Sequence, residues 1–437
     1  MDRRHFLAAA STIAILPRHV LGGPGIVPPS DKLNLAGIGA GGMGGNYLQN
    51  LSSENIVALA DVDDKRAAPT YERFPNARRY RDFRRLLDKE ANHIDGVVIG
   101  TPDHTHAVAA LPSFALGKHV YCAKPLARTI REVRLMTEAA RKAGVATQMS
   151  TQQNAHDDHR KIAEMIWDGA IGPVREVHIW DNRPIWPQGV DRPAETPPVP
   201  DTLDWDLWLG PAPVRPYHPA YVPFTWRGWQ DFGTGALGDM GCHHFDPVFR
   251  ALHLTAPETV HASSTDVNGE TWPHASIVHY RFPARGDMPP VRLVWYDGGL
   301  KPARPDGLGD HEPMGVPDPG GAYFVGDKGI LLTDGTGHNP RLLSVSGMTD
   351  VEYEMPEPAL PRSIGHYQEW IEACKGGPQA GAHFDYGGPI TEAVLLGNIA
   401  ILSPGKTLRW DAAEMRITND KEANILLDRT YREGWAL

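Results

Sequence analysis

The chain has 437 residues, 41% hydrophobic and 22% charged, which suits a globular protein with two domains of ordinary size. Its formal net charge of −10 argues against a nucleic-acid partner, because binding a duplex requires a basic face. No apolar run reaches the roughly 18 residues that a transmembrane helix needs, so we expect no membrane span in the mature form. The 3 widely spaced cysteines do not suggest a disulfide framework.

Residues 1–30 are predicted to be a twin-arginine export signal and linker. Arg3 and Arg4 precede Phe6 and Leu7, and a short, weakly hydrophobic stretch follows. Proteins exported by this route fold in the cytosol and can carry a bound cofactor out with them. We therefore expect a periplasmic protein, the alternative being a disordered tail with chance arginines.

Residues 31–150 are predicted to form a Rossmann domain, because short apolar runs alternate with helical patterns as in a doubly wound parallel sheet. A helix is predicted over Ile130–Ala143, where Gly144 suits the C-terminal cap. The predicted strands are Leu35–Ile38, Ile56–Ala60, Gly96–Ile99, His119–Cys122 and Ala146–Met149.

Residues 151–437 are predicted to form one α/β substrate-binding domain with long loops. The stretches 191–223 and 284–322 are irregular and rich in proline, and loops of this length are uncommon unless they shape a site. The predicted strands are Val174–Asp181, Ser276–Phe282 and Val291–Tyr296, and the predicted helices are His159–Gly169, Ser363–Cys374 and Ile390–Leu402.

A glycine-rich turn follows the first predicted strand and predicts a dinucleotide site. Gly39 would make the tight turn, Gly41 would let the backbone approach a pyrophosphate, and Gly44 would pack the next helix, which starts near Met43. Asp61 ends the second strand, about 20 residues further on, where a carboxylate binds the adenosine ribose hydroxyls. An acid there would repel a 2′-phosphate, so NAD is favoured over NADP.

The loop after the strand Gly96–Ile99 is predicted to line the nicotinamide pocket, because strand C-termini face the cofactor crevice in such sheets. It contains Thr101, Pro102, His104 and His106. The two histidines as metal ligands are the weaker interpretation.

Four segments together resemble the Gfo/Idh/MocA family, the glucose-fructose oxidoreductase and inositol dehydrogenase group. They are 39–44 with Asp61, 101–106, 121–126 and 233–246. The resemblance implies a Rossmann domain followed by an α/β domain with a large, open, mostly antiparallel sheet. It also implies bound NAD, a carbohydrate or glycoside substrate, and a dimer or tetramer formed through the C-terminal sheet.

The resemblance also assigns a catalytic set. The family's Glu-Lys-Pro loop matches at Lys124 but has Ala123 in place of the glutamate, so we expect Lys124 to lack one charge partner. The family's Asp-x-x-x-His segment matches at Asp239 and His243, which would share one helix face. The aspartate would orient the substrate or the histidine, and the histidine would take a hydroxyl proton.

Four further positions are weaker candidates. Gln152 is expected beside the nicotinamide, and Asn154, Arg183 and Arg227 are expected to contact sugar hydroxyls together with His243. Between residues 180 and 229 lie 6 tryptophans, which would either stack on a sugar or pack the loop.

Two reactions compete. The main hypothesis is redox-neutral chemistry with a retained NAD, such as glycoside hydrolysis through transient oxidation at C3 and elimination, because an exported enzyme has no partner pool for NADH. The alternative is a simple NAD-dependent sugar dehydrogenase or reductase, and a third is a non-catalytic sugar- or NAD-binding protein. We expect no metal; a zinc site would have to use His243, His244, Asp239 and Asp246.

Overall fold

The computed structural model describes residues 31–315, 320–343 and 353–437. The export signal predicted over residues 1–30 lies outside this part of the chain. None of the described helices has the length and apolar character needed to cross a membrane.

The first sheet has six parallel strands in the order β3-β2-β1-β4-β5-β6. This confirms the predicted Rossmann sheet. The strands are β1 Asn34–Ile38, β2 Asn55–Ala60, β3 Arg78–Tyr80, β4 Gly96–Ile99, β5 His119–Cys122 and β6 Thr147–Met149. The helices between them are α1 Met43–Asn50, α2 Asp64–Arg73, α3 Phe83–Glu90, α4 His106–Ala115 and α5 Ile130–Ala143.

Local sequence explains why α5 matches its predicted bounds. Thr129 and Glu132 form a capping box at its start, and Gly144 ends it with a left-handed φ of 64°. The apolar side of α5, including Ile130 and Met136, is fully buried.

The second sheet has nine strands in the order β13-β12-β11-β7-β10-β9-β8-β14-β15. Among the described strand pairs of this second sheet, only β7 and β10 run parallel, which confirms that the sheet is mostly antiparallel. The strands are β7 Val174–Trp180, β8 Thr259–Ser264, β9 Ser276–Phe282, β10 Val291–Tyr296, β11 Gly321–Gly326, β12 Ile330–Asp334, β13 His338–Leu343, β14 Leu408–Asp411 and β15 Arg416–Ile417. The helices are α6 Asp157–Trp167, α7 Trp205–Leu209, α8 Gly235–Leu252, α9 His366–Cys374 and α10 Phe384–Ile401.

Helices from the end of the chain pack on the first sheet. Trp370 of α9 is fully buried in the apolar cluster that contains Leu35 and Val98 of that sheet. Helix α10 lies between α5 and α8 and contributes to one core that spans both sheets. A boundary at residue 150 therefore separates the two sheets, but the hydrophobic core continues across it.

Helix α10 begins six residues before the predicted start at Ile390. Gly387, Gly388 and Pro389 read as helix breakers, yet both glycines are buried in the helix. Tertiary packing overrides their poor helix propensity here.

Candidate active site

One cavity of about 620 Å³ runs from the carboxyl ends of β1, β2 and β4 to helix α8. It is the site that the sequence predicts, because it joins the glycine-rich turn to the catalytic candidates. Predicted residues that line it are Gly39, Gly41, Met43, Asp61, Thr101, Pro102, Lys124, Gln152, Arg183, Arg227, Asp239 and His243. Gly44, His104, His106 and Asn154 do not line it.

The turn between β1 and α1 has the form of a dinucleotide-binding turn, because a side chain at its glycine positions would clash with the neighbouring backbone. Gly39 has a φ of 82°, and a Cβ on it would lie 2.7 Å from the Thr101 backbone nitrogen. A Cβ on Gly44 would overlap the Gly39 carbonyl oxygen. Glycine is thus required for the turn at one position and for the close approach of α1 at the other.

Asp61 ends β2 in the place predicted for a ribose-binding acid. Its carboxylate accepts hydrogen bonds from the backbone N–H groups of Gly41 and Asp63, both at 2.9 Å. Burial raises the pKa of Asp61 to about 6, although these two hydrogen bonds oppose the shift. The Arg66 side chain lies over the turn, 2.7 Å from the position that a Cβ on Gly42 would take. Asp61 and Arg66 thus both approach the glycine-rich turn, one as an acid and the other as a cation.

His104 and His106 lie behind the cavity wall rather than in it. The ring nitrogens of His106 are 2.8 and 2.9 Å from the carbonyl oxygens of Pro125 and Thr101. Those of His104 are 3.3 and 3.1 Å from the carbonyl oxygens of Phe232 and Trp208, and burial lowers its pKa to about 3. Both histidines therefore hold loops together, which the sequence pattern could not distinguish from cofactor contact.

Lys124 has a charge partner, contrary to the expectation drawn from Ala123. Its Nζ is 2.8 Å from Oδ1 of Asp239 and also donates to the Asp239 carbonyl oxygen. The Lys124 backbone N–H donates to Ser150 Oγ at 3.0 Å, which fixes the loop beneath it. A carboxylate from α8 thus stands against the ammonium group that the missing glutamate would have approached.

Asp239 is shared between two cations. Arg227 Nε donates to the same Oδ1 at 2.9 Å. Burial alone would raise the pKa of Asp239, but the charges and hydrogen bonds of Lys124 and Arg227 outweigh it and lower the pKa below its ordinary range. The carboxylate therefore remains ionised and orients both cations at the cavity.

His243 lies one helical turn after Asp239 and lines the cavity. The structure shows no hydrogen bond between the His243 ring and the Asp239 carboxylate. Burial, reinforced by the Lys124 charge, lowers the pKa of His243 well below its ordinary value. Its Nδ1 is buried and finds no hydrogen-bond partner among the described residues. The imidazole is therefore neutral at neutral pH and lines the cavity, which makes it a candidate to exchange a proton with a bound hydroxyl.

The aromatic residues near Arg227 hold its guanidinium group. The Arg227 Cζ atom is 4.3 Å from the ring centre of Trp226, 4.5 Å from that of Phe224 and 5.9 Å from that of Trp186. These faces therefore carry cation–π contacts, while Trp186 and Phe224 also line the cavity.

Three other candidates have contrasting surroundings. Arg183 lines the cavity, and its Nη1 donates to Asn182 Oδ1 at 2.7 Å. Gln152 lies 3.5 Å from the hydroxyls of Tyr121 and Tyr367. Asn154, by contrast, is fully buried and donates to both carboxylate oxygens of Asp246, at 2.8 and 3.0 Å. Its amide is committed to that pair and does not reach a substrate in the cavity.

The four residues of the rival zinc interpretation do not converge. His244 pairs with Asp181 at 2.9 Å, and Asp246 accepts from Asn154 and from the Tyr386 hydroxyl. His156, Asp158 and His338 do approach one another outside the cavity, within 4.8 Å. Asp158 is already paired there with the Lys161 ammonium at 3.0 Å, which opposes a second cation.

Sequence reasoning missed the residues at the adenosine end of the cavity. Asp63, Arg66, Arg81 and Phe83 line it from the first sheet, and Leu203, Leu207 and Trp208 line it from the irregular stretch 191–223. The bulky apolar residues within that otherwise proline-rich stretch were the available signal.

Family models match both sheets of the chain. The model described as "Oxidoreductase family, NAD-binding Rossmann fold" matches residues 33–151, and "Oxidoreductase family, C-terminal alpha/beta domain" matches residues 174–281. Both models describe the Gfo/Idh/MocA family, and together they match more than half of the chain. The chain belongs to the Gfo/Idh/MocA family. Its first domain is therefore an NAD-binding Rossmann domain.

Among curated relatives, inositol 2-dehydrogenase of Rubrobacter xylanophilus is 32% identical over 148 residues, which are 33% of this chain and 42% of that protein. The chain thus matches less than half the length of this relative.

Two solved structures share the fold over nearly their whole length. The aldose-aldose oxidoreductase of Caulobacter crescentus, complexed with glycerol, has a TM-score of 0.60 at 17% identity and covers 87% of this chain and 100% of its own. The WlbA dehydrogenase of Bordetella pertussis, in complex with NADH and UDP-GlcNAcA, has a TM-score of 0.60 at 15% identity and covers 87% and 99%. At these identities the likeness shows the fold.

Proposed function

We propose that this family member is an NAD-dependent dehydrogenase or reductase of a sugar or polyol hydroxyl. The observation that carries the proposal is that His243 and the Lys124–Asp239–Arg227 cluster line the same cavity as the glycine-rich turn. A base, a pair of cations and a dinucleotide site are the components that hydride transfer from an alcohol requires.

His243 is assigned the proton transfer. Its lowered pKa keeps the imidazole neutral at neutral pH, so it can accept the proton of the reacting hydroxyl during oxidation and return it during reduction. The nicotinamide, when bound, accepts or gives the hydride.

Lys124 is assigned to the reacting oxygen. Its ammonium group lines the cavity and donates to the backbone carbonyl oxygen and to Oδ1 of Asp239, so its position is fixed before substrate enters. It can donate a hydrogen bond to the alkoxide that develops as the proton leaves. Arg227 and Arg183 are assigned to the remaining hydroxyl groups of the substrate.

NAD is assigned to the turn and to Asp61. The glycine positions leave room for the pyrophosphate, the N-terminus of α1 and Arg66 attract its charge, and Asp61 accepts from the ribose hydroxyls. The substrate class follows the names of the relatives, which act on inositol and on aldoses, and one structure holds a nucleotide sugar with NADH.

Glycoside hydrolysis, the main hypothesis from sequence, has weaker support than this alternative. It rests on the predicted export signal, whereas the relatives named above are a dehydrogenase and oxidoreductases. Coupled oxidation of one sugar and reduction of another would also be redox-neutral. We propose periplasmic export and a dimer or tetramer through the second sheet as expectations that accompany either reaction.

A panel of polyols, free sugars and glycosides, incubated with enzyme and added NAD, tests the proposal. Accumulation of NADH together with a ketone or lactone is the expected result. Product without NADH would instead favour a redox-neutral cycle. For a glycoside, deuterium at C2 after reaction in heavy water would identify the C3-oxidation route, which displacement by two carboxylates would not produce. No product and no NADH with any compound would reject catalysis in favour of the binding protein.

A further inference from the structure

The irregular stretch 191–223 reaches from the second sheet across to the first and touches the loop that follows Asp61. The Asp64 N–H donates to the Thr202 carbonyl at 3.0 Å, and the Asp204 N–H donates to the Val62 carbonyl at 2.9 Å. Asp63 and Leu203 form an antiparallel β-bridge between these two hydrogen bonds. The ribose-binding loop is thus paired, backbone to backbone, with a segment of the substrate domain.

Side chains of the same segment form a wall of the cavity. Leu203, Leu207 and Trp208 line it together with Val62 and Phe83 of the first domain, so both domains contribute apolar groups to the adenosine end. A flat, apolar adenine ring is the part of NAD that such a slot would take.

This segment is held firmly in place. Trp208 and Leu203 belong to an aromatic cluster with Trp205, Tyr221 and Phe232, and the cluster has its own buried core. A core of this kind orders the segment without help from a ligand.

The C-terminal tail ties the segment to the Rossmann domain. Arg432 pairs with Asp206 and donates to the Gly210 carbonyl at 2.9 Å. Trp435, three residues later, packs against Phe83 with ring centres 6.0 Å apart. The two sides of the slot are therefore bound to each other at a second point.

We propose that residues 202–208 complete the adenosine site and slow the release of NAD, which requires segments 62–64 and 202–204 to separate. We call residues 202–208 the adenosine cover. This inference rests on the proposed NAD-dependent function.

The first test removes one apolar group from the wall. Leu207 is half-buried and lines the cavity, whereas Val214, in the same irregular stretch, is exposed and does not line it. The holoenzyme is loaded with radiolabelled NAD and chased with unlabelled NAD. Leu207→Ala is expected to speed release by about five- to thirtyfold, the range for losing part of a buried leucine contact, and Val214→Ala to leave it unchanged. Equal rates in both variants and the parent would overturn the proposal.

The second test locks the cover and compares one double variant with itself, oxidised and reduced, so any effect of the substitutions themselves cancels. The Asp63–Leu203 bridge is a non-hydrogen-bonded pair, which brings Cα atoms to about 4.5 Å, within reach of a disulfide. In the double variant Asp63→Cys, Leu203→Cys, oxidation is expected to slow NAD release at least tenfold, and reduction to restore it. The single variant Asp63→Cys, treated identically, controls for oxidation of Cys122, Cys242 and Cys374.

The outcomes separate the two proposals. If the parent protein neither retains NAD nor binds it on titration, the proposed function fails. If NAD binds but leaves at the same rate from the oxidised and reduced double variant, the cover fails while the function stands. A disulfide that does not form under oxidant would contradict the backbone pairing itself.

Discussion

The two ends of the cavity are built by different physical means. At the reaction end, the side chains of Lys124 and Arg227 converge on Asp239 of helix α8. At the adenosine end, backbone hydrogen bonds and apolar side chains hold two distant segments together. The first arrangement fixes the position of each charge, and the second surrounds part of the cavity with ordered apolar groups.

The difference explains which substitutions each end tolerates. A shared carboxylate between two cations makes the reaction end sensitive to the loss of any one charge, because the remaining groups are left buried and unpaired. At the adenosine end we expect smaller losses of affinity, because no single group there holds two buried cations.

The largest expected effect is at His243. His243→Ala is expected to lower kcat by roughly 10²–10⁴, the range for removing a general acid or base. Bound NAD, measured after denaturing the purified variant, is expected to equal that of the parent, because the imidazole has no described hydrogen-bond partner to lose. Parental turnover in the variant would reject the assignment.

The next effect is on stability, at Asp239. Asp239→Asn keeps the side-chain volume but leaves Lys124 and Arg227 without a counter-charge, so we expect a loss of roughly 3 kcal/mol at neutral pH. The side chains of Lys124, Asp239 and Arg227 are only 13%, 15% and 16% exposed, respectively, which limits the screening of their charges by solvent. Denaturant unfolding measures the difference.

The pH dependence gives the Asp239 prediction a second readout. The folded-state pKa of Asp239 lies below its unfolded value, so its stabilisation is complete above the unfolded pKa and declines as pH falls through the folded one. The stability gap between parent and variant should therefore be constant from neutrality down to about pH 4 and shrink below it. A gap that does not change in acid would remove the carboxylate charge as its cause.

Local signals were enough to predict the Rossmann half. The glycine turn, Asp61 and the capping residues of α5 each act within a few positions, so the sequence around them contains the whole cause. Helix α10 was predicted too short because the burial of Gly387 and Gly388 depends on partners more than two hundred residues away.

The sequence predicted many of the residues that line the cavity, but it did not predict the contacts that those residues make with one another. Lys124 and Asp239 were both chosen, but their pairing could not be read from Ala123, because the carboxylate comes from another element. Asn154 was placed at the substrate because it follows the strand that ends at Met149, whereas its amide donates to Asp246 inside the protein. The adenosine cover was missed because the bulky apolar residues of the stretch 191–223 do not show which segment they face, and the backbone pairing between residues 63 and 203 adds no side-chain pattern.

At the adenosine end, Asp61→Ala is expected to weaken NAD binding by about 1–3 kcal/mol, the scale for hydrogen bonds to a charged group. The Gly41 and Asp63 N–H groups also lose their acceptor, so part of this loss would come from a looser turn. Calorimetric titration of nucleotide-free protein measures it, and Asp61→Asn serves as the matched variant that retains an acceptor oxygen. Unchanged affinity would assign the ribose contact to another residue.

The smallest expected effect is a pH dependence that belongs to the same carboxylate. Burial raises the pKa of Asp61 to about 6 in the protein without nucleotide, so the acceptor form predominates at pH 7 and the protonated form at pH 5. A protonated carboxyl accepts more weakly from the ribose hydroxyls, and NAD affinity should therefore fall as pH decreases across this interval. With a pKa near 6, the ionised fraction drops about tenfold between those limits, which sets the maximum loss at about 1.4 kcal/mol. Asp61→Asn cannot titrate and should bind NAD with one affinity at both pH values, weaker than the parent at pH 7. If the variant showed the same pH dependence as the parent, another group would be its source, and the burial of Asp61 would have no part in cofactor binding.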